Sequence, residues 1–312
     1  MTDAFGRQAA LIERLWWPTL WVLTAIYIAV MIALAYAMLR RRHVDEVKSE
    51  VRTARWVGAA IAGTVVILFA YFISDLFTAR AIAGIERKDG VTIEVTGLQW
   101  WWRVEYSDSV PERRLTTANE IHIPVGRPVR IITSSADVIH SFWIRELHGK
   151  RDLIPGDKSE FWLRADSAGV FRGQCAEFCG LEHAKMALVV VAEPEAQFQA
   201  WYDRQLSAAR VPPVAVTRAD SLIRSGHDVF VTKACVMCHT IRGTTAGSSI
   251  GPDLTHLASR RMIAAGTRTN TRGNLAGWVV DPQGIKPGAL MPPNNLTPAE
   301  LEALISFLES LK

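Results

Sequence analysis

All four cysteines of this 312-residue chain lie in two short motifs, and no other feature constrains its chemistry as strongly. The first motif is Cys175-x3-Cys179-x3-His183-x2-Met186. The second is the run Cys235-Val236-Met237-Cys238-His239. Because no cysteine is left over for a disulfide, we expect the thiols to bind cofactors rather than to crosslink the fold. The chain is therefore predicted to carry two redox centres and to move electrons.

Two uncharged apolar segments, 16–39 and 56–74, precede both motifs. Each is long enough to cross a hydrocarbon core of roughly 30 Å as a helix. The basic run Arg40-Arg41-Arg42-His43 lies between them, so the positive-inside rule places this loop in the cytoplasm and the long C-terminal part outside. A signal peptide cleaved after Ala37 is the alternative, which the length of the segment and the arginines behind it disfavour. We expect residues 1–82 to form a transmembrane hairpin and expect no nucleic-acid partner.

Residues 83–207 are predicted to form an all-β domain. Five runs, at 91–96, 120–124, 129–133, 159–163 and 186–191, are rich in strand-forming apolar residues, mostly alternating with polar ones, and Gly, Pro, Asn and Asp turns separate them. Many short strands at this spacing favour a sandwich, with the Cys175 motif in loops at one end.

Residues 218–312 are predicted to form a small all-α domain. A helical pattern at 193–209 is broken by Val211-Pro212-Pro213, which predicts a linker at 208–217. Near the C-terminus, Thr297, Pro298 and Glu300 form a capping box that opens a final helix.

The ligand chemistry of the Cys175 motif favours copper. Thiolate, imidazole and thioether are soft or borderline donors, and two cysteines four residues apart can share metal ions. His183 and Met186 return to the same pocket if the motif is a tight loop, and His140, at the end of a strand, is the candidate for a second imidazole. A structural Cys2His2 zinc site is the alternative, but a thioether is a poor zinc ligand. The other histidines lack ligand spacing: His43, His122, His148, His227 and His256.

The Cys235 motif is typical of covalent haem c attachment. Cys235 and Cys238 can reach the two vinyl groups of a haem, and the adjacent His239 falls under the iron as proximal ligand. A thioredoxin-like redox pair is the alternative, which the exported location disfavours. The second axial ligand must come from downstream; Met291, just before the final helix, is the candidate and Met262 its competitor.

The copper motif and its surroundings resemble cytochrome c oxidase subunit II. The resemblance rests on the run from Gly173 to Met186, on His140-Ser141-Phe142-Trp143 and on Gly97-Leu98-Gln99-Trp100-Trp101-Trp102. It covers roughly residues 15–200 and implies a cupredoxin-like fold for the β domain. The C-terminal domain resembles the cytochrome c that is fused to this subunit in caa-type oxidases.

The resemblance implies a dinuclear copper A centre. Its ligand set would be Cys175 and Cys179 as bridges, His140 and His183 with one copper each, Met186 on one ion and the backbone carbonyl of Glu177 on the other. The Glu177 side chain would also help to hold a magnesium or manganese ion at the interface with subunit I. Trp100 would be the entry point for electrons from a separate cytochrome c. Gly251-Pro252 resembles the loop whose proline carbonyl holds the proximal histidine, although an ordinary turn is the alternative.

The implied function is electron input into a proton-translocating cytochrome c oxidase, from haem c to copper A and on to subunit I, where oxygen is reduced to water. Subunit III and an upstream cytochrome c or another donor are further expected partners. The expected location is the bacterial cytoplasmic membrane, with the soluble domains on the periplasmic side. A copper A-containing nitric oxide reductase and a copper-delivery module are the alternatives. No catalytic residue is predicted in this chain.

Overall fold

The computed structural model describes residues 3–39, 46–84, 90–211 and 217–312. The predicted basic run at 40–43 and the centre of the predicted linker, 212–216, lie outside the described residues. The chain divides into two compact units. The N-terminal helices form one unit, and the β domain forms the other together with the C-terminal helical domain.

Two long helices form the N-terminal unit, α1 (Arg7–Leu39) and α2 (Glu46–Ala83). Both extend beyond the predicted apolar segments, because flanking residues such as Arg, Glu, Gln and Ala are good helix formers. Both are long and apolar enough to cross a membrane, and their apolar stretches are not buried by the rest of the described chain. The prediction of two apolar N-terminal helices is confirmed.

Ten strands form the β domain as two five-stranded sheets. The strands are β1 (Val91–Leu98), β2 (Trp101–Ser107), β3 (Leu115–Ala118), β4 (Glu120–Pro124), β5 (Val129–Ser135), β6 (His140–Trp143), β7 (Arg151–Leu153), β8 (Ser159–Leu163), β9 (Gly169–Cys175) and β10 (Ala187–Glu193). One sheet has the order β3-β2-β1-β5-β8 and the other β4-β10-β9-β6-β7. The predicted sandwich is confirmed.

The core of the sandwich lies between the two sheets. Alternate side chains of β1 and β2 point inward and are buried, among them Trp102 and Tyr106. Strand β4 differs from the predicted half-buried pattern, because all five of its residues are buried. The cause is helix α3 (Glu195–Leu206), which covers this strand and stacks Trp201 on the ring of His122.

The C-terminal domain is helical, as predicted, with α4 (Arg218–Thr232), α5 (Arg272–Val280), α6 (Pro282–Ile285) and α7 (Pro298–Ser310). The capping box at Thr297 is present. Helices α4 and α7 cross so closely at Gly226 that a Cβ there would lie 2.0 Å from the carbonyl oxygen of Ala303. A pair of two-residue strands, β11 (Met262–Ile263) and β12 (Arg268–Thr269), was not predicted. The predicted domain boundaries at residues 82, 207 and 217 stay predictions.

Candidate copper centre and haem site

The predicted copper donors converge at one end of the sandwich, where β6 and β9 meet the loop that leads to β10. The sulfur atoms of Cys175 and Cys179 lie 3.8 Å apart. The Nδ1 atom of His140 lies 3.9 Å from the Cys175 sulfur, and Nδ1 of His183 lies 3.6 Å from the Cys179 sulfur. The thioether sulfur of Met186 lies 3.8 Å from the Cys179 sulfur. The pocket therefore brings two thiols, two imidazoles and one thioether together.

Glu177 offers different groups to the two sides of this loop. Its backbone carbonyl oxygen lies 3.2 Å from the sulfur of Cys175, inside the donor cluster. Its carboxylate is partly exposed and lies 4.0 Å from the ammonium of Lys150. The carbonyl oxygen is thus placed to act as a ligand together with the sulfur atoms, whereas the side chain faces away from them.

The spacing of the two sulfur atoms fits shared metal ions. A separation of 3.8 Å is far longer than the roughly 2.05 Å of a disulfide bond. An ion held by metal–thiolate bonds of roughly 2.3 Å, the length found for zinc, can touch both sulfurs at this spacing. Among the described residues, His140, Cys175 and Cys179 are a buried group of potential metal ligands. The hydrogen bond between the sulfurs lowers the pKa of Cys175, which favours a thiolate, and raises that of Cys179.

Asp137 and Gly97 position His140, and the sequence had assigned neither a role. A carboxylate oxygen of Asp137 lies 2.8 Å from Nε2 of His140, which leaves Nδ1 to face the sulfurs. A Cβ on Gly97 would lie 2.7 Å from the His140 ring, so glycine makes room for the imidazole. Burial disfavours the imidazolium, but Cys175 and Asp137 outweigh it and raise the pKa of His140. In the sequence, the only indication of this contact was the position of Asp137 three residues before His140.

Trp100 contacts both the copper motif and the C-terminal domain. Its indole nitrogen donates a hydrogen bond of 2.9 Å to the carbonyl oxygen of Cys179. Its own carbonyl oxygen accepts a hydrogen bond of 2.6 Å from the ammonium of Lys286. Burial lowers the pKa of Lys286 to about 8. Trp102, in contrast, is a buried core residue.

The Cys235 motif forms one turn directly after helix α4. The amides of Cys238 and His239 both donate to the carbonyl oxygen of Cys235, at 3.2 and 3.0 Å, so the turn brings the thiols and the imidazole together. The two cysteines are not joined to each other by a disulfide. The Nδ1 atom of His239 lies 2.8 Å from the carbonyl oxygen of Pro252, which leaves Nε2 for an iron, and burial lowers the pKa of the imidazole. These features fit covalent haem attachment.

The candidates for the second axial ligand lie in different elements. Met291 is half-buried in the loop between α6 and α7, and its carbonyl oxygen accepts a hydrogen bond of 2.9 Å from Gln283. Met262 lies in strand β11, where it pairs with Thr269. The axial role of Met291 stays a prediction.

A second titratable group, the His122 cluster, lies beneath helix α3 in the sandwich. The imidazole of His122 lies 3.1 Å from a carboxylate oxygen of Glu120 and 2.7 Å from one of Glu193. Its ring stacks on Trp201 with the ring centres 4.1 Å apart. Burial lowers the pKa of His122, but the two carboxylates outweigh burial and the net shift is upward. His122 is therefore a core residue paired with two carboxylates, which agrees with the absence of ligand spacing around it in the sequence.

Two family models match the segments of the chain that contain these two candidate sites. Residues 91–193 match the family of the periplasmic domain of cytochrome C oxidase subunit II, and residues 223–312 match the cytochrome c family. The chain thus combines a subunit II periplasmic domain with a cytochrome c domain. Over this periplasmic domain the chain is similar to cytochrome c oxidase subunit II proteins. The two domains imply copper A and haem c as cofactors.

Several relatives carry the name cytochrome c oxidase subunit 2. The protein of Alkalihalophilus pseudofirmus is 37% identical over 71% of this chain and 61% of its own length. That of Bacillus sp. strain PS3 is 34% identical over 72% of this chain and 63% of its own length. The chain thus spans less than two thirds of the length of these relatives. A crystal structure is known of the periplasmic domain of subunit II of cytochrome oxidase from Bradyrhizobium japonicum. Its sequence is 32% identical to this chain, and the match covers 38% of this chain and 94% of that domain with a TM-score of 0.36.

Proposed function

We propose that this chain is the electron-input subunit of a terminal cytochrome c oxidase. Haem c and copper A are one-electron carriers when bound, and electrons would pass from haem c to copper A and then to subunit I, where oxygen is reduced to water with proton translocation. One observation carries the proposal: five side-chain donors, two of them buried cysteine sulfurs, converge in the same compact unit as a Cys-x-x-Cys-His turn.

The proposed copper A ligands are the groups that face the sulfur pair: His140, Cys175, the Glu177 carbonyl, Cys179, His183 and Met186. Cys175, Cys179 and Met186 are at most 4% exposed. Burial keeps water from the cluster, and Asp137 holds the tautomer of His140. A rigid, dry donor set of this kind suits electron transfer, because little has to reorganise when the charge changes.

The proposed haem c site uses Cys235 and Cys238 for covalent attachment and His239 and Met291 as axial ligands. The Pro252 carbonyl fixes the ring orientation of His239 through the 2.8 Å contact. A carbonyl acceptor on Nδ1 makes the imidazole a stronger donor to iron. Methionine as the other ligand raises the reduction potential, which suits an acceptor of respiratory electrons.

The proposed contact with subunit I involves the loop of Glu177. The partly exposed carboxylate of this residue supports a role in binding a magnesium or manganese ion that subunit I would share. Trp100 is proposed as the electron-entry residue of the copper domain, since its indole donates directly to the Cys179 carbonyl. Subunit III and an external cytochrome c complete the proposed set of partners.

The proposed location is a bacterial cytoplasmic membrane, with α1 and α2 as the anchor and both soluble domains on the periplasmic side. The length and apolar character of the two helices support the anchor. The amides of Phe5 and Gly6, just before α1, donate to the Glu146 carbonyl of the sandwich. This contact agrees with residues 5 and 6 lying on the same side of the membrane as the sandwich.

The test is to purify the tagged chain with its native membrane partners and to measure oxygen and nitric oxide consumption driven by reduced cytochrome c. We expect rapid, cyanide-sensitive oxygen uptake that Cys175→Ser abolishes and that Ser109→Ala, on a surface loop, leaves intact. Nitric oxide turnover with little oxygen uptake would assign the chain to a nitric oxide reductase instead. Loss of copper to a weak chelator, with no turnover of either gas, would indicate copper delivery.

A further inference from the structure

The segment 282–291 of the C-terminal domain lies against the copper domain at Trp100. Lys286 is 3% exposed, and its ammonium donates to the Trp100 carbonyl at 2.6 Å. In the opposite direction, the ammonium of Lys185, from the copper motif, donates to the Ile285 carbonyl at 2.9 Å. Two lysines thus cross the boundary between the domains, and each binds a main-chain carbonyl of the other domain.

Close backbone approach at Gly288 supports the same contact. Gly288 has a φ of +86°, and a Cβ there would lie 2.7 Å from a methyl carbon of Leu181 and 3.9 Å from the indole ring of Trp100. A side chain at this position would have to displace the exposed end of Leu181, and the positive φ favours glycine there. The main chain of the segment thus lies directly against the copper domain at Gly288, next to the Lys286 contact.

Gln283 makes the segment a single unit that includes Met291. Its amide nitrogen donates to the carbonyl oxygens of Ala289 and Met291, at 2.8 and 2.9 Å. Its amide oxygen accepts from the backbone nitrogen of Gly288 at 2.8 Å. Because these hydrogen bonds hold the short loop from Lys286 to Met291 together, a displacement of Lys286 also moves Met291.

A buried ammonium needs a reason to be retained, because desolvation of a charge is costly unless it is paired. The partners of Lys286 are the Trp100 carbonyl and, electrostatically, the buried carboxylate of Glu182. Glu182 lies 3.5 Å from the ammonium of Lys185. Buried polar groups of this kind are best attested as devices that fix register.

We propose that Lys286 is a positioning residue that sets the register between the cytochrome c domain and the electron-entry side of the copper domain. It does so by holding the main chain of Trp100, whose indole in turn binds the Cys179 carbonyl. The consequence for electron transfer rests on the proposed function; the docking itself does not.

The test compares Lys286→Met and Lys286→Arg with the native chain in the purified complex. Methionine keeps the volume but removes the donor, whereas arginine restores a cationic donor. The matched control is Lys158→Met, which removes a lysine that is 69% exposed in the sandwich. Unchanged haem and copper absorption spectra are required of every variant.

Amide hydrogen exchange reports docking without reference to turnover. The amides of Arg261 and Ala187 cross the boundary, to the Glu120 carboxylate at 2.8 Å and to the Ala265 carbonyl at 2.9 Å. Loss of a hydrogen bond from a charged donor shifts a docking equilibrium roughly tenfold. We expect about tenfold faster exchange at both amides in Lys286→Met, with arginine restoring native rates and the control unchanged.

Photochemical electron injection into haem c then gives the rate of electron transfer to copper A. We expect this rate to fall about tenfold in Lys286→Met and to recover in Lys286→Arg. Exchange and transfer rates within twofold of native in Lys286→Met would overturn the proposal, as would an equal effect in Lys158→Met. If Lys286→Met accelerates exchange while the native chain lacks oxidase activity, the positioning role stands and the proposed function fails.

Discussion

The imidazole of His239 lies close to the main chain of Gly251, so replacing Gly251 with alanine should disturb the haem site. A Cβ on Gly251 would lie 2.8 Å from Cε1 and 3.0 Å from Nδ1 of His239. Carbon atoms prefer separations of about 3.5–4.0 Å, so the ring must move by about 0.7 Å. A shift of that size can stretch the 2.8 Å contact with the Pro252 carbonyl to the limit of a hydrogen bond.

The expected effect on the haem is a higher reduction potential. Losing the partner of a metal-ligating histidine typically costs about 10–100-fold in metal affinity. The Pro252 carbonyl strengthens the imidazole as a donor, which favours ferric iron, so its loss destabilises the oxidised state more. One decade corresponds to about 59 mV for a one-electron couple, and we therefore expect Gly251→Ala to raise the midpoint potential by up to about 60–120 mV.

The assay is a spectroelectrochemical titration of the haem c absorption in the purified chain. The matched control is Gly247→Ala, in the same loop, where a Cβ would have no atom within 4 Å. A midpoint potential in Gly251→Ala equal to that of the native chain would refute the argument that the imidazole is held against this glycine. So would an equal shift in the Gly247→Ala control.

Three further outcomes are expected. Gly226→Ala should destabilise the cytochrome c domain by about 1–3 kcal/mol or more, because the added methyl group separates α4 from α7. Its control, Gly273→Ala, adds a methyl group in open space in α5 and should be neutral or stabilising by up to about 1 kcal/mol. Hydrogen exchange of the amides in α4 measures the stability of the domain in both variants. The ion pairs of His122 should stabilise the copper domain fully below about pH 6.5, and this contribution should be lost as the pH rises through the raised pKa of His122. In urea unfolding, His122→Gln should therefore lower the free energy of unfolding by about 3–5 kcal/mol at pH 6 and by less at pH 9. Met291→Leu should abolish axial methionine ligation and lower the haem potential, while Met262→Leu should change neither; native spectra in Met291→Leu would exclude it as the ligand.

The sequence was sufficient to predict the donor groups, because thiol and imidazole spacings in a short loop limit which atoms can meet. His140 was also predictable, although it lies 35 residues before Cys175, since its position at a predicted strand end made it the candidate for the second imidazole. Its support by Asp137 and Gly97 was not, because a carboxylate three residues away and a glycine in another strand have many possible uses. Lys286 was invisible in the sequence, since its partner Trp100 lies 186 positions earlier and only the tertiary fold joins them.

A covalent tether lowers the free-energy cost of holding the two domains in register. A separate donor protein must overcome the translational and rotational freedom lost on association, estimated at roughly 4–15 kcal/mol, before its contacts yield net affinity. In this chain the covalent connection already keeps the cytochrome c domain near Trp100, which raises its effective concentration. Hydrogen bonds from Lys286 and Lys185 to main-chain carbonyls then need only to select one orientation. Because Lys286 binds the Trp100 carbonyl, the indole remains available to the Cys179 carbonyl, and docking and the proposed electron entry use different groups of the same residue.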